Sequence, residues 1–344
     1  MRKDIFKTAF LFMGTLIGAG FASGNEIAVY FLSCGKYFIP AIALSMAVIG
    51  ILGKMSMDIA FETGIYSYDK FMEKIMGRSI SEFVCLMTGA FFFVLFTAMI
   101  SAFGTMLEDM LGIKRAFGSA LFMIFCLYVF INGTGGIVKA NCALVPVLIL
   151  GIILCAVLSF LFGDIKEAEL FLKVAGNGEF YVNGVIFALY NIISCVPVIV
   201  ECAGNIRRKS SMGCILACAA LFVLGTLMAL SMIISRYNPN WNMPMLEIMK
   251  GYGKLPYIFY ALSFVAALYT TAAGNGYCAF NWFKAGNNRN IFLKMIIFFV
   301  VSYLMSFISF SVFVEKFYFV FAFTGIIEAV FILKFYIKMN FRSF

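Results

Sequence analysis

About ten apolar segments follow one another along this chain, and each reaches the length of about 20 residues that a helix needs to cross a bilayer. They lie near residues 8–32, 38–61, 80–107, 115–132, 138–162, 180–203, 211–235, 255–281, 290–309 and 312–336. No small-residue cleavage site follows the first segment, so we expect it to be an uncleaved membrane span. The sequence therefore predicts an all-α integral membrane protein with a single transmembrane domain over residues 1–344.

The composition agrees with this class and excludes others. Hydrophobic residues make up 63% of the chain, charged residues 12%, and the mean hydropathy is +0.99, which is far above the value for a soluble globular protein. The ten cysteines fall almost entirely inside apolar segments without a Cys-x-x-Cys pair, so we expect them to act as small hydrophobic residues. Histidine is absent, which excludes Ser-His and His-metal catalysis. We expect neither an enzyme nor a bound cofactor.

Most of the 26 Lys and Arg residues fall on one side of the predicted spans. Because cytoplasmic loops of membrane proteins carry an excess of Lys and Arg, both termini are predicted to be cytoplasmic. The same arrangement explains the net charge of +9 as a solvated face that meets anionic lipid. The expected partners are therefore the lipid bilayer and a small-molecule substrate, with no nucleic acid, and the sequence specifies no protein partner.

Glycine and polar residues interrupt the first predicted span, which reads GTLIGAGFASGNEIAVYF from Gly14 to Phe31. We expect Gly18–Ala22 to be unwound and the helix to restart at Ser23–Glu26. The sixth span is expected to break around Asn191–Pro197, about half the chain length further on. Interrupted helices at matching places in two halves indicate the binding site of a secondary transporter.

The two breaks define two predicted halves, over about residues 8–162 and 180–336. Each half contains five spans, an odd number, so the halves must insert with opposite topology as a 5+5 inverted repeat. Unwound backbone must line protein or a wet cavity, where its free N–H groups can bind an anion and its carbonyls a cation. The alternative is that the glycines only permit close helix packing, since Gly14 and Gly18 have the Gly-x-x-x-Gly spacing.

The stretch GTLIGAGFASGNEI resembles the signature of the YkvI-type family of bacterial membrane proteins. The layout of ten spans is similar to that of the LeuT-like transporter superfold, of the amino acid/polyamine/organocation type. The resemblance implies a secondary active transporter of an amino acid or related zwitterion, working by ion-coupled alternating access in the bacterial cytoplasmic membrane. The alternative is a non-transporting membrane subunit that senses a nutrient with the same pocket.

The resemblance also implies the positions of the binding residues. Substrate contacts would come from the two breaks, at Gly18, Ala19, Gly20, Phe21, Asn191, Ser194 and Cys195. A sodium ion would be held by the carbonyls of Gly14 and Ile17 together with the ALYTT run, that is Ala267, Thr270 and Thr271. Carbonyl and hydroxyl oxygens suit a hard cation. The alternatives are that the threonines bond to their own helix carbonyls, and that the coupling ion is a proton or absent.

Two carboxylates in the predicted spans admit a functional and a structural interpretation. Glu26 either takes up a coupling proton or contacts a substrate amine, or it completes a Ser-x-x-Glu capping box with Ser23. Glu328 lies deep in the tenth span without a partner nearby in sequence, so it either pairs with another helix or belongs to a proton path.

Two connecting segments are also assigned: Glu62–Arg78 as a cytoplasmic linker with a short amphipathic helix, and Trp241–Gly253 as an outer cap.

Overall fold

The computed structural model of the protein describes residues 2–173, 176, 179–206, 210–241, 243–284, 290–308 and 318–341. Within these ranges all regular structure is helical. The helices are α1 (Arg2–Leu16), α2 (Ala19–Ser23), α3 (Phe38–Thr63), α4 (Tyr68–Met76), α5 (Arg78–Leu111), α6 (Arg115–Phe162), α7 (Ile165–Lys173), α8 (Phe180–Ala203), α9 (Met212–Ile234), α10 (Pro244–Gly251), α11 (Lys254–Lys284), α12 (Ile291–Met305) and α13 (Tyr318–Phe341). A π-helical turn, Ile27–Phe31, and a 3₁₀ segment, Leu32–Tyr37, lead into α3.

Six helical stretches in the described residues are long and apolar enough to cross a membrane, so the chain is a multi-pass membrane protein. One of them, α6, contains 48 residues and covers the fourth and fifth predicted spans. Gly133 divides it, because its φ of 61° and ψ of −152° interrupt the helical geometry and allow the chain to change direction. The last two predicted spans extend into residues 309–317, which lie outside the described residues.

Contacts between helix ends show which parts of the chain share a side of the bundle. Gly213, at the start of α9, packs against the backbone of Ile5 in α1, and Gly204, just after α8, packs against Tyr66. We call this the N-terminal side. It holds the start of α1, the connection from α3 to α4 and the connection from α8 to α9.

The C-terminal part of α13 lies on the same side. The Tyr336 hydroxyl donates to Asp58 Oδ2 near the end of α3 over 3.4 Å. The opposite side holds the connections from α6 to α7 and from α9 to α10, where the Asp164 N–H donates to the Ile234 carbonyl. Both ends of the described chain therefore lie on one side of the bundle.

The linker between α3 and α5 contains the short helix α4. Its apolar side chains pack into the bundle, and its charged side chains face outward: Tyr68, Phe71, Met72, Ile75 and Met76 are buried, and Asp69, Lys70, Glu73 and Lys74 are exposed. Apolar residues three and four positions apart produce this one-sided burial. The helix is amphipathic, as the sequence indicated.

The predicted break in the sixth span is wrong. Helix α8 runs without interruption from Phe180 to Ala203 and carries Pro197 inside it. The polar side chains in this stretch bond to their own helix, since Asn191 Nδ2 donates to the Phe187 carbonyl and Ser194 Oγ to the Asn191 carbonyl, both over 2.8 Å. Proline removes one N–H donor, but the stretch contains no glycine that could take up a different backbone conformation.

Candidate functional site

The first span is interrupted twice, at Ile17–Gly18 and at Gly24. Helix α1 ends at Leu16, and the Gly18 N–H donates to the Leu16 carbonyl over 3.0 Å instead of to the Gly14 carbonyl. The short helix α2 follows, and Gly24 ends it with a left-handed φ of 85°. The unwound part is therefore shorter than the predicted Gly18–Ala22, because four of these five residues belong to α2.

The end of α1 leaves two backbone carbonyls for another helix. Thr271 Oγ1 of α11 lies 3.1 Å from the Ile17 carbonyl oxygen and 3.4 Å from the Gly14 carbonyl oxygen. Gly14 packs so tightly on α6 that a methyl group there would overlap the Asn141 side chain. Three predicted ion ligands, two carbonyls and one hydroxyl, thus converge at the break.

The other two predicted ligands lie on the same helix, one residue and one turn away. Thr270 Oγ1 is 3.1 Å from the Ala267 carbonyl oxygen and 3.0 Å from that of Ala266. Its hydroxyl therefore bonds back to its own helix, which is the alternative that the sequence left open for membrane threonines. In this conformation Thr271 alone of the two threonines reaches across to α1.

A small cavity lies directly beside the break. It measures about 20 Å³, which is room for about one water molecule. The lining residues are Thr15, Leu16, Gly18, Glu26, Phe91, Leu95, Met99, Tyr190, Asn191, Ser194, Thr271 and Asn275. The predicted substrate residues Gly18, Asn191 and Ser194 thus meet Thr271 around one small cavity, although α8 is not broken.

Asn275 is a polar cavity residue that sequence reasoning missed. It is only 1% exposed, and neither its Oδ1 nor its Nδ2 has a hydrogen-bond partner among the described residues. An unpaired buried polar group costs about 1–3 kcal/mol, so an amide left in this state points to a ligand that completes it. The signal was available in the sequence, because Asn275 follows Thr271 by four residues and therefore lies on the same face of α11.

Glu26 carries the acidic group of the cavity. Its side chain is buried, and the Tyr190 hydroxyl lies beside its carboxylate. The rings of Tyr30, Phe187 and Tyr190 pack on one another next to it, with centroids 5.3–5.7 Å apart. No Lys or Arg is among the residues that line this cavity. A carboxylate beside aromatic faces is suited to an ammonium group.

The capping-box interpretation of Glu26 does not hold. The Ser23 hydroxyl accepts a hydrogen bond from the Asn25 N–H over 3.3 Å and donates one to the Gly20 carbonyl. It therefore does not bond to the Glu26 N–H, as a capping box requires. The Glu26 carboxylate instead packs on Gly20, where a methyl group would overlap it. Gly20 is thus needed as space for Glu26 and does not line the cavity.

Three other predicted substrate residues are buried without lining the cavity. Ala19 and Phe21 lie in α2, and the Phe21 ring packs toward Gly225 of α9. The Cys195 thiol contacts the Ile192 carbonyl of its own helix. Glu328 is also absent from the cavity lining, since its carboxylate lies under α4 beside the Tyr68 hydroxyl.

Helix α10, which belongs to the segment predicted as a cap, packs on the second interruption. A methyl group at Gly24 would come within 2.8 Å of the Met245 side chain of α10 and 3.1 Å of Met232 of α9. From α11, the Tyr260 hydroxyl donates to the Ala22 carbonyl over 2.7 Å. The short helix α2 is therefore held in place from two sides.

Comparison with known proteins agrees with this architecture. No family model matches the chain. It is 23% identical over 271 residues to the uncharacterized membrane protein YkvI of Bacillus subtilis (strain 168), covering 78% of each chain. It is 30% identical over 154 residues to the uncharacterized protein YyaD of the same organism, covering 45% of this chain and 44% of that protein.

Two solved structures share the fold. MhsT in complex with L-phenylalanine matches with a TM-score of 0.67 and 15% identity, covering 95% of this chain and 86% of MhsT. A Na⁺-coupled sialic acid symporter in a substrate-bound outward-open state matches with a TM-score of 0.67 and 13% identity, covering 95% of this chain and 77% of that one. The predicted resemblance is confirmed: the chain is similar to YkvI over 78% of its length and shares the LeuT-like fold of these two structures.

Proposed function

We propose that this protein is a secondary active transporter that moves a small solute, an amino acid or related zwitterion, by sodium-coupled alternating access. The observation that carries the proposal is the small cavity beside the interrupted first span, where the Thr271 hydroxyl meets the carbonyls of Gly14 and Ile17. The proposal includes ten membrane helices in two inverted halves, over about 8–162 and 180–336. It also places both termini in the cytoplasm of a bacterium.

A second cavity supports alternating access. It measures about 360 Å³ and lies on the N-terminal side, where Thr88 of α5, Pro197 of α8 and Cys278 of α11 line it. The small cavity beside the break, which we call the substrate cavity, is lined by the same three helices about one turn further into the bundle. The two cavities therefore follow one another along the same three helices, which is the arrangement that an alternating-access path would use.

Within this proposal the polar groups of the small cavity bind the substrate. Glu26 faces the substrate amine, because an ammonium group would neutralise a buried carboxylate that no Lys or Arg of the cavity lining neutralises. Asn275 and Ser194 offer hydrogen bonds to the remaining polar groups. The cavity must expand for a molecule larger than water, so binding requires movement of these helices.

The donor set at the break fits a sodium ion. Two carbonyl oxygens and a hydroxyl oxygen are hard neutral ligands. On α11 the Thr270 hydroxyl, one residue away, and the Ala267 carbonyl, one turn away, would supply two more oxygens if Thr270 turned from its own helix. Thr271 both belongs to this set and lines the substrate cavity. Shared use of Thr271 is a physical route for coupling, since ion and substrate would each fix the position of the same side chain.

Uptake by purified protein in liposomes tests the proposal. A thermal-shift screen against amino acids and related metabolites, each in sodium and in potassium, first identifies a ligand. We then expect the liposomes to accumulate that ligand under an inward sodium gradient and to stop when the gradient is dissipated. A protein that binds the ligand but never accumulates or exchanges it under any ion gradient would instead be the nutrient sensor.

A further inference from the structure

A buried carboxylate outside the substrate cavity has no role in the proposed transport cycle. Glu328 of α13 is 0% exposed. The Tyr68 hydroxyl of α4 donates to its Oε1 over 3.3 Å and lies 3.2 Å from Thr88 Oγ1 of α5. Its other oxygen, Oε2, has no hydrogen-bond partner among the described residues. Three helices thus meet at one carboxyl group.

No positive charge in the described chain faces this carboxyl. The helices packed on α13 are α3, α4, α5 and α8. The titratable groups that they direct toward Glu328 are Tyr68, Cys85 and Cys195, and Asp69 lies beyond Cys85. On α3, Lys54 and Asp58 pair with each other over 2.6 Å and contact Tyr336, two turns further along α13. A charge in this position would be uncompensated, so the docked arrangement requires a proton on Glu328.

Water can reach the site from the N-terminal side if α4 moves. Tyr68 and Thr88 separate Glu328 from the larger cavity, whose walls include the exposed residues Tyr66 and Asp69. The linker is short and Tyr68 is the first residue of α4. Undocking of α4 would therefore remove Tyr68 from the carboxyl and hydrate it at the same time.

Helix α13 also contacts the substrate helix directly. Gly325, one turn before Glu328, packs so closely on α8 that a methyl group there would overlap the Leu189 carbonyl. Leu189 immediately precedes Tyr190 and Asn191, which line the substrate cavity. A change at Glu328 therefore has a short and tightly packed route to the substrate site.

We propose that Glu328 is a proton-binding site that locks α4 onto the bundle. When Glu328 carries its proton, its carbonyl oxygen accepts a hydrogen bond from the Tyr68 hydroxyl, and α4 closes the inner path. When the proton passes to water in the larger cavity, the single hydrogen bond from Tyr68 does not offset the cost of burying the anion. The carboxylate is then more stable when α4 has undocked and water reaches it, so the inner path opens. The effect on transport rests on the proposed function, but the docking of α4 does not.

Hydrogen–deuterium exchange of residues 68–76 tests the proposal on full-length protein in nanodiscs. The variant E328Q keeps the shape of the protonated carboxyl, and E73Q removes a carboxylate from the exposed face of the same helix as a matched control. Comparing variants at one pH cancels the chemical exchange rate. We expect equal exchange of α4 in wild type and E328Q at pH 6, and faster exchange in wild type at pH 8. The ratio of the α4 exchange rate in wild type to that in E328Q should grow by up to about tenfold for each pH unit above the pH at which Glu328 releases its proton. E73Q should behave as wild type.

A second variant separates the lock from general stability. Y68F removes the hydroxyl that contacts Glu328, so we expect α4 to exchange faster than in wild type already at pH 6, while the rest of the bundle is unchanged. Equal exchange of α4 in wild type and E328Q at both pH values would overturn the proposal. So would an E328Q protein that fails to fold at pH 6, because glutamine reproduces the neutral carboxyl. Neither readout depends on transport, so a failed uptake assay leaves this test intact.

Discussion

The first and sixth spans were expected to break at matching places, and only the first one does. In the first span Gly18 and Gly24 interrupt the helix and leave the carbonyls of Gly14 and Ile17 facing Thr271. In the sixth span α8 continues through Pro197, and its polar side chains bond to their own backbone. Backbone groups of the first span and side chains of the sixth therefore face the same cavity.

The difference teaches which sequence signal breaks a membrane helix. Glycine can adopt the left-handed conformation that Gly24 has, and its missing side chain lets neighbouring groups pack where Gly20 and Gly14 lie. Pro197 removes one N–H donor, yet the turns of α8 before and after it stay helical. Four glycines in eleven residues and one proline in an otherwise ordinary helix are thus different signals.

The largest effect is expected from a substitution that removes the partner of the freed carbonyls. Thr271→Val keeps the side-chain shape and deletes the hydroxyl that meets Ile17 and Gly14. A hydrogen-bonding group that acts on a charge contributes about 1.5–3 kcal/mol, so sodium affinity should fall by about ten- to a hundredfold. The measurement is the sodium concentration for half-maximal uptake. Thr226→Val on α9, where the hydroxyl bonds only to its own helix carbonyl, is the control and should change nothing.

Next in size is the replacement of the unpaired amide. Asn275→Leu should weaken substrate binding by about tenfold or more, because it deletes the amide that the ligand completes. The same change should raise the melting temperature of the ligand-free protein, since a buried unpaired polar group is removed. Thermal-shift curves with and without ligand measure both effects. Exposed Asn132→Leu serves as the control, and a lower melting temperature for Asn275→Leu would contradict the interpretation.

A smaller effect is expected at the second interruption. Gly24→Ala forces a side chain into a left-handed conformation, which costs about 1–2 kcal/mol, and presses it against Met245. Gly64→Ala has a similar φ of 67° with nothing near the added methyl group. Chemical or thermal unfolding of the two variants should show Gly24→Ala to be the less stable. Equal stability would mean that α10 does not hold the break.

The smallest effect is predicted for the sixth span. Pro197→Ala supplies an N–H that can bond to the Ile193 carbonyl, so α8 should keep its path and uptake should stay within about twofold of wild type. The melting temperature should be unchanged or slightly higher. Loss of uptake in this variant would show that the sixth span does break during transport and that the two spans are alike.

Much of the architecture was accessible from the sequence. Hydropathy alone indicated the long apolar helices of the described chain, and it separated α6 into two spans at the place where Gly133 interrupts it. The Gly-x-Gly resemblance and the ALYTT run placed Gly14, Ile17 and Thr271 together although more than 250 residues separate them in the chain. These features could be predicted because each depends mainly on the residues of one short segment: its hydropathy, its glycines or its hydroxyl groups.

The remaining features depend on packing between helices. Nothing near Glu26 in the sequence indicates that Tyr190 of α8 lies beside it, so the local Ser23 motif suggested a cap that does not form. The partner of Glu328 is Tyr68, which is 260 residues away. The spacing to Thr271 places Asn275 on the same face of α11, but the absence of partners around its amide is visible only in the structure. These features depend on tertiary contacts. Helical periodicity predicts which face of a helix a residue lies on, but not which residue of another helix packs against it.

Cryo-electron microscopy of the purified protein in sodium and in potassium tests the central claim most directly. The claim is that the first span is interrupted at Gly18 and that its freed carbonyls form a cation site with Thr271. We predict a density in sodium, absent in potassium, between the Gly14 and Ile17 carbonyls and the Thr271 hydroxyl, with α8 unbroken. A first span that is helical through Gly18, with the Gly18 N–H bonded to the Gly14 carbonyl, would contradict the account.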